Sequence, residues 1–189
     1  MNKPILVIDN YDSFTYNLVH LLQELNYSYQ VVRNDKFELS YVENFDKILL
    51  SPGPGIPNEA GLLMDVIRQY GSSKSILGIC LGQQAIAEVF GGTLFNMPKP
   101  LHGVATSLQI IDPKEPLFFG FPAESRVGRY HSWAVDPQNL PDSLQITAVD
   151  ENGIIMALSH KQYDVKGMQF HPESVLTDNG KILIANWLK

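Results

Sequence analysis

Ser75-Ile76-Leu77-Gly78-Ile79-Cys80-Leu81-Gly82-Gln83-Gln84-Ala85-Ile86-Ala87-Glu88-Val89-Phe90 decides the reading of the fold. Ser75–Ile79 is a short apolar run and predicts a buried strand. Residues 83–90 carry apolar side chains at helical spacing, and Gly91-Gly92 closes them. A strand that becomes a helix within a few residues is one βα step of an open α/β sheet. Cys80 stands at the step, in a G-x-C-x-G pattern. This is the thiol form of a nucleophile elbow, whose glycines keep side chains out of a sharp turn.

Toward the N-terminus the same alternation repeats. Ile5–Asp9, Tyr29–Arg33 and Lys47–Leu50 read as strands. Residues 13–25, with Phe14, Leu18, Leu21, Leu22 and Leu25 on one face, and residues 60–70 read as helices. Alternating strands and helices predict a parallel sheet covered on both faces. The second half has another character. Strand-like runs at 104–111, 125–130, 144–149, 154–158 and 167–170 have no long helix between them, only turns such as Glu151-Asn152-Gly153. They are expected to be antiparallel additions that extend the sheet and form a small side sheet. Residues 178–188 close the chain as a helix. The expectation is one domain over 1–189: a three-layer α/β/α unit with a mostly parallel central sheet and antiparallel additions in its C-terminal half.

Bulk properties narrow the function. With 189 residues, 44% of them hydrophobic, the chain can bury a core without staples. A net charge of −6 argues against nucleic acid or an anionic membrane as the main partner. The single cysteine rules out an intramolecular bridge and suits a reducing compartment. The apolar run after residues 1–4 is too short for a signal-peptide core, and no segment reaches the roughly 20 apolar residues of a membrane span. The expected location is the cytoplasm.

A lone cysteine beside an apolar strand is ordinarily an inert core residue. The elbow position argues for a nucleophile. It puts the thiol at a helix N-terminus, where thiolate is favoured, and it is expected to push the sulfur into solvent at the carboxyl end of the sheet. The free N–H of Leu81 is then available to a developing oxyanion. A thiol nucleophile needs an imidazole. Of His20, His102, His131, His160 and His171, His20 falls mid-helix and His160 in a turn. His171 follows the 167–170 strand, and Pro172 holds its backbone extended. Glu173, two residues on, can fix its tautomer as the third member of a triad does. No C-x-x-C or H-x-x-x-H spacing suggests a metal, and no cofactor is expected.

Together Gly78-Ile79-Cys80-Leu81-Gly82-Gln83-Gln84, Phe170-His171-Pro172-Glu173-Ser174 and Ser51-Pro52-Gly53-Pro54-Gly55 resemble the nucleophile, His–Glu and oxyanion-loop motifs of the class I (triad) glutamine amidotransferases. Asp9-Asn10-Tyr11-Asp12-Ser13-Phe14-Thr15-Tyr16-Asn17-Leu18, Leu101-His102-Gly103, Arg129-Tyr130-His131-Ser132 and residues 169–177 are similar to the signatures of the anthranilate synthase component II and aminodeoxychorismate synthase glutaminase group. The resemblance implies a flavodoxin-like fold and hydrolysis of L-glutamine. The ammonia would go to a chorismate-binding synthase subunit, for anthranilate first and aminodeoxychorismate as the alternative. It also implies that Gly53, Pro54 and Gly55 line the glutamine site. The N–H groups of Gly55 and Leu81 would form the oxyanion hole. Gln84 would bond the substrate, and the backbone at Ser132 and Trp133 would grip its α-amino and carboxylate end. Gln83, Val104 and Trp133 depart from the residues usual in that group. A stand-alone γ-glutamyl hydrolase is a further alternative.

Overall fold

The computed structural model describes residues 3–189; the first two residues of the 1–4 segment lie outside the described residues. Strands β1 (Ile5–Asp9), β2 (Tyr29–Arg33), β3 (Lys47–Leu50) and β4 (Ser75–Ile79) have the bounds expected from the sequence. Helices α1 (Thr15–Glu24), α2 (Leu63–Tyr70) and α3 (Leu81–Val89) lie between and after them. α2 begins later than residue 60 because Pro57–Glu59 forms a separate 3-10 turn. The later elements are β5 (Leu94–Ser107), β6 (Gln109–Ile110), β7 (Arg126–Val135), β8 (Leu144–Val149), β9 (Ile155–His160), β10 (Val165–Met168) and α4 (Gly180–Leu188).

The central sheet has the order β2-β1-β3-β4-β10-β9-β8-β6, and β5 pairs with β7 in a separate antiparallel ribbon. Side chains alternate between its two faces. Ile5 and Val7 enter one core with Leu18 and Leu22 of α1 and Leu183 and Trp187 of α4. Leu6 and Ile8 enter the other with Leu63 and Ile67 of α2 and Ala85 and Ile86 of α3. This period of two, buried on both sides, explains why the strands read as unbroken apolar runs. The result is three layers, α/β/α.

Two expectations need correction. The 167–170 strand is not simply an antiparallel addition: β10 ends at Met168, runs antiparallel to β9 and parallel to β4. With no helix directly before it, β10 looks locally like a meander strand. Its crossover from β4 is made by the long stretch beginning at α3, which no local pattern reveals. The 104–111 run is not one strand. It is divided between β5 of the ribbon and β6 at the edge of the central sheet. β5 also starts earlier, at Leu94, and includes Pro98 and Pro100; the register shift between Asn96 and Leu101 absorbs residues that cannot donate to a ladder.

The strand order reverses between β1 and β3, and open α/β sheets bind ligands outside the carboxyl ends of the strands at such a point. The 51–55 loop leaves β3 there, Cys80 leaves β4 and His171 follows β10. No described helix is long and apolar enough to cross a membrane.

Candidate active site

Cys80 occupies the turn between β4 and α3 with φ 52° and ψ −100°, a region that costs a non-glycine residue on the order of 1–3 kcal/mol. The flanking glycines make the turn possible. A Cβ on Gly78 would lie 2.5 Å from the Gly82 oxygen, and one on Gly82 would lie 2.8 Å from the Leu50 oxygen. The Cys80 N–H donates to the Met168 carbonyl at 2.7 Å, tying the elbow to the end of β10. The thiol is not pushed into solvent as expected from the sequence: Cys80 is only 6% exposed. It forms part of a pocket wall because the 53–55 loop and the β5–β7 ribbon rise around it.

His171 and Glu173 meet as the sequence requires. His171 Nδ1 lies 2.8 Å from Glu173 Oε1, and both side chains are buried. The His171 N–H donates to the Gly128 carbonyl of β7 at 3.0 Å, and the Thr177 hydroxyl donates to the His171 carbonyl at 2.5 Å. Phe14 and Tyr130 pack edgewise on the imidazole, with centroids at 5.4 and 4.9 Å. Nε2 has no partner at hydrogen-bond geometry. Burial pulls the His171 pKa down, but the neighbouring Cys80 and the Glu173 carboxylate outweigh it and raise it to about 10.

A pocket of about 170 Å³ opens over the thiol. Gly53, Pro54, Gly55, Gln84, Ser132 and Trp133, all singled out in the sequence, line it with Cys80. A Cβ on Gly53 would lie 2.6 Å from both Asn10 Cβ and Leu81 Cδ2, so only glycine lets the loop sit this close to the elbow. Gly55 takes φ +73°. Leu81 opens α3, so its N–H has no carbonyl one turn back within the helix. Larger depressions of about 450 and 460 Å³ lie beside Phe37 and Tyr41, and at the amino end of the sheet beside Tyr27 and Lys47. Neither contains Cys80 or His171.

Sequence reasoning gave no individual role to several residues that complete this site. His102, Tyr130 and His131 line the pocket, and Gln169 Nε2 lies 3.4 Å from Cys80 Sγ. Arg129 and Asp150 form a buried ion pair at 2.5 Å behind His131. The available signal was the polar run Arg129-Tyr130-His131-Ser132 within a strand that is otherwise apolar at Val127 and Ala134. Gln84 bonds the Trp133 carbonyl and Gln169. Gln83 is sealed against Gly167 in the core, away from the pocket.

Residues 6–189 match the family model for class I glutamine amidotransferases. The chain belongs to that family. Among its relatives is an aminodeoxychorismate synthase component 2 from Escherichia coli K12, 45% identical over 186 residues, which cover 97% of this chain and 98% of the relative. An anthranilate synthase component 2 from Porphyra purpurea is 44% identical over 187 residues, again 97% and 98% of the two chains. A solved structure from Thermoplasma acidophilum, named for a GMP synthase subunit, superposes with a TM-score of 0.88 at 28% identity; the match covers all of this chain and 93% of that one. This amidotransferase is thus a glutaminase-type enzyme subunit related to the component II group, with the three-layer architecture of a class I member.

Proposed function

We propose that this chain hydrolyses L-glutamine to glutamate and ammonia through a thioester on Cys80, and passes the ammonia to a chorismate-binding synthase subunit (component I). The observation that carries the proposal is the convergence at one sheet edge: a strained cysteine in the pocket wall beside a buried, Glu173-bound imidazole. His171 holds the proton of Cys80, and the sulfur attacks the side-chain amide carbon of glutamine. The carbonyl electron pair moves to oxygen, where the N–H groups of Gly55 and Leu81 stabilise it, each by about 2.7–4 kcal/mol. Collapse of this intermediate breaks the C–N bond, and His171 Nε2 protonates the departing nitrogen to give ammonia. Neutral His171 then takes a proton from water as the water oxygen attacks the thioester. Glutamate leaves, and the sulfur returns to its starting state. Glu173 keeps the proton on Nδ1 so that Nε2 faces the chemistry.

Gly53 and Pro54 shape the glutamine pocket, and Gln84 with the Ser132 and Trp133 backbone holds the amino-acid end. Residues 1–189 act as one glutaminase domain in the cytoplasm. Relatives named for each product match almost equally, at 45% and 44% identity, so the assignment is to the pair. Free ammonia is useful as a nucleophile only before bulk water protonates it, which is the physical reason for a bound acceptor subunit. The test is to mix the purified chain with each component I, chorismate and glutamine. The amine formed, anthranilate or aminodeoxychorismate, names the partner. Turnover of γ-glutamyl peptides without a partner, and no gain with either synthase, would instead indicate a stand-alone hydrolase.

A further inference from the structure

We propose that Gln169 holds the Cys80 sulfur with a hydrogen-bond donor, and that its polarity is locked through Gln84 by the Trp133 carbonyl. The inference rests on the reading of Cys80 as nucleophile. A side-chain amide can turn either its oxygen or its NH₂ to a neighbour, so a partner of fixed polarity sets which end it presents. A backbone carbonyl only accepts. Gln84 therefore presents its NH₂ to the Trp133 oxygen at 2.9 Å. The same nitrogen faces Gln169 at 3.1 Å, so the Gln169 atom there is Oε1. Its NH₂ is left to face Cys80 Sγ at 3.4 Å. Gln169 is fully buried, and no solvent competes for it.

The carbonyl is itself held in place. Arg129, a donor only, gives Nε–H to His131 Nε2 at 3.1 Å. That leaves the His131 proton on Nδ1, which donates to the Trp133 oxygen at 2.8 Å. Burial, and then the Arg129 charge, keep His131 neutral with a pKa of about 4. The segment assigned to grip glutamine is thus joined to the reacting sulfur by two side-chain amides. A donor aimed at sulfur favours its charged form.

The experiment is the pH profile of iodoacetamide alkylation of the full chain and of Gln169→Met and Gln169→Glu. Other ionisable groups face the site: His171 backed by Glu173, Tyr130 and His131 from β7, His102 from β5 and Glu59 behind Gly55. All are unchanged in both variants. A hydrogen bond to a charged group contributes about 1.5–3 kcal/mol, so Gln169→Met should displace the acid limb of the profile upward by roughly 1–2 pH units, a loss of tenfold or more along that limb, yet match the parent on the alkaline plateau. Gln169→Glu, which brings an acceptor and a charge, should move the profile further upward. Profiles parallel to the parent at every pH would overturn the proposal, since mere distortion slows all pH values alike. If one variant fails to fold, the other decides by the same comparison. A parent thiol unreactive at neutral pH would instead sink the nucleophile assignment itself.

Discussion

The Cys80 backbone N–H donates to the Met168 carbonyl at 2.7 Å. This one bond joins two parts of the site that are far apart along the chain. β4 and β10 are parallel and in register from Ile76 with Val165 to Ile79 with Met168. Both chains therefore emerge at the same sheet edge, one into the elbow and the other into Gln169 and His171. The thiol and the imidazole are brought to the same end of the sheet because adjacent strands end together.

Replacing Cys80 with serine should abolish glutamine hydrolysis, with a loss on the order of 10³-fold or more. The change exchanges one atom and keeps the backbone, so the thermal midpoint should shift little. Ammonia release and a melting curve on the same preparation check both halves. Sustained turnover would remove the sulfur from the mechanism.

Gly78→Ala should damage the fold before it damages chemistry. The new methyl would lie 2.5 Å from the Gly82 oxygen and 2.8 Å from the Gln83 nitrogen, both backbone atoms that cannot rotate away. Overpacking of this kind typically destabilises by about 1–3 kcal/mol. Urea denaturation should show a lower midpoint with an unchanged slope. An unaltered midpoint would mean that α3 shifts freely along β4, contrary to its tight packing.

The four N-terminal strands and the elbow were legible because parallel strands buried on both faces are short apolar runs between turn residues. The placement of Cys80, His171 and Glu173 was legible because each lies just beyond the end of a strand. Three things were not. The prolines of β5 hide a strand that survives only by register shifts. The parallel direction of β10 depends on a crossover longer than any local window. Gln169 meets Cys80 across 89 residues, and Arg129 meets Asp150 across 21, so nothing in either neighbourhood announces the pairing. The burial of the thiol was misjudged for a related reason: its cover comes from the β5–β7 ribbon, which no reading of the elbow includes.

Asp150→Asn should be strongly destabilising. Asp150 and Arg129 side chains are each 2% exposed, and the carboxylate also accepts the N–H groups of Asn152 and Ile154 at 2.8 Å. Removing one charge leaves the guanidinium buried and uncompensated, a loss of about 3–5 kcal/mol. Replacing both residues by apolar ones of similar volume should recover much of it. Chemical denaturation of the single and double variants checks this, and a single variant as stable as the parent would show that the pair is solvated.

Glu173→Gln separates the role of the carboxylate in catalysis from its role in stability. Burial lowers the His171 pKa, while Cys80 and Glu173 together lift it from 6.5 to about 10. A pKa raised by folding means that the His171 imidazole keeps its proton between those values in the native state, so its own contribution to stability falls as pH rises through the window. The stabilisation is complete below pH 6.5 and is gone once pH passes about 10. Glutamine at 173 removes the charge and leaves burial less opposed, so the native-state pKa drops and this part of the slope flattens. Melting curves at pH 6, 8 and 10 should therefore converge: the parent loses more than the variant on going to alkaline pH. Comparison with the parent cancels the groups that titrate away from this site. Turnover should fall by about 10⁴-fold, as it does when a triad carboxylate becomes an amide and the imidazole tautomer is lost. Curves that stay parallel across the range would show that Glu173 does not hold the proton on His171.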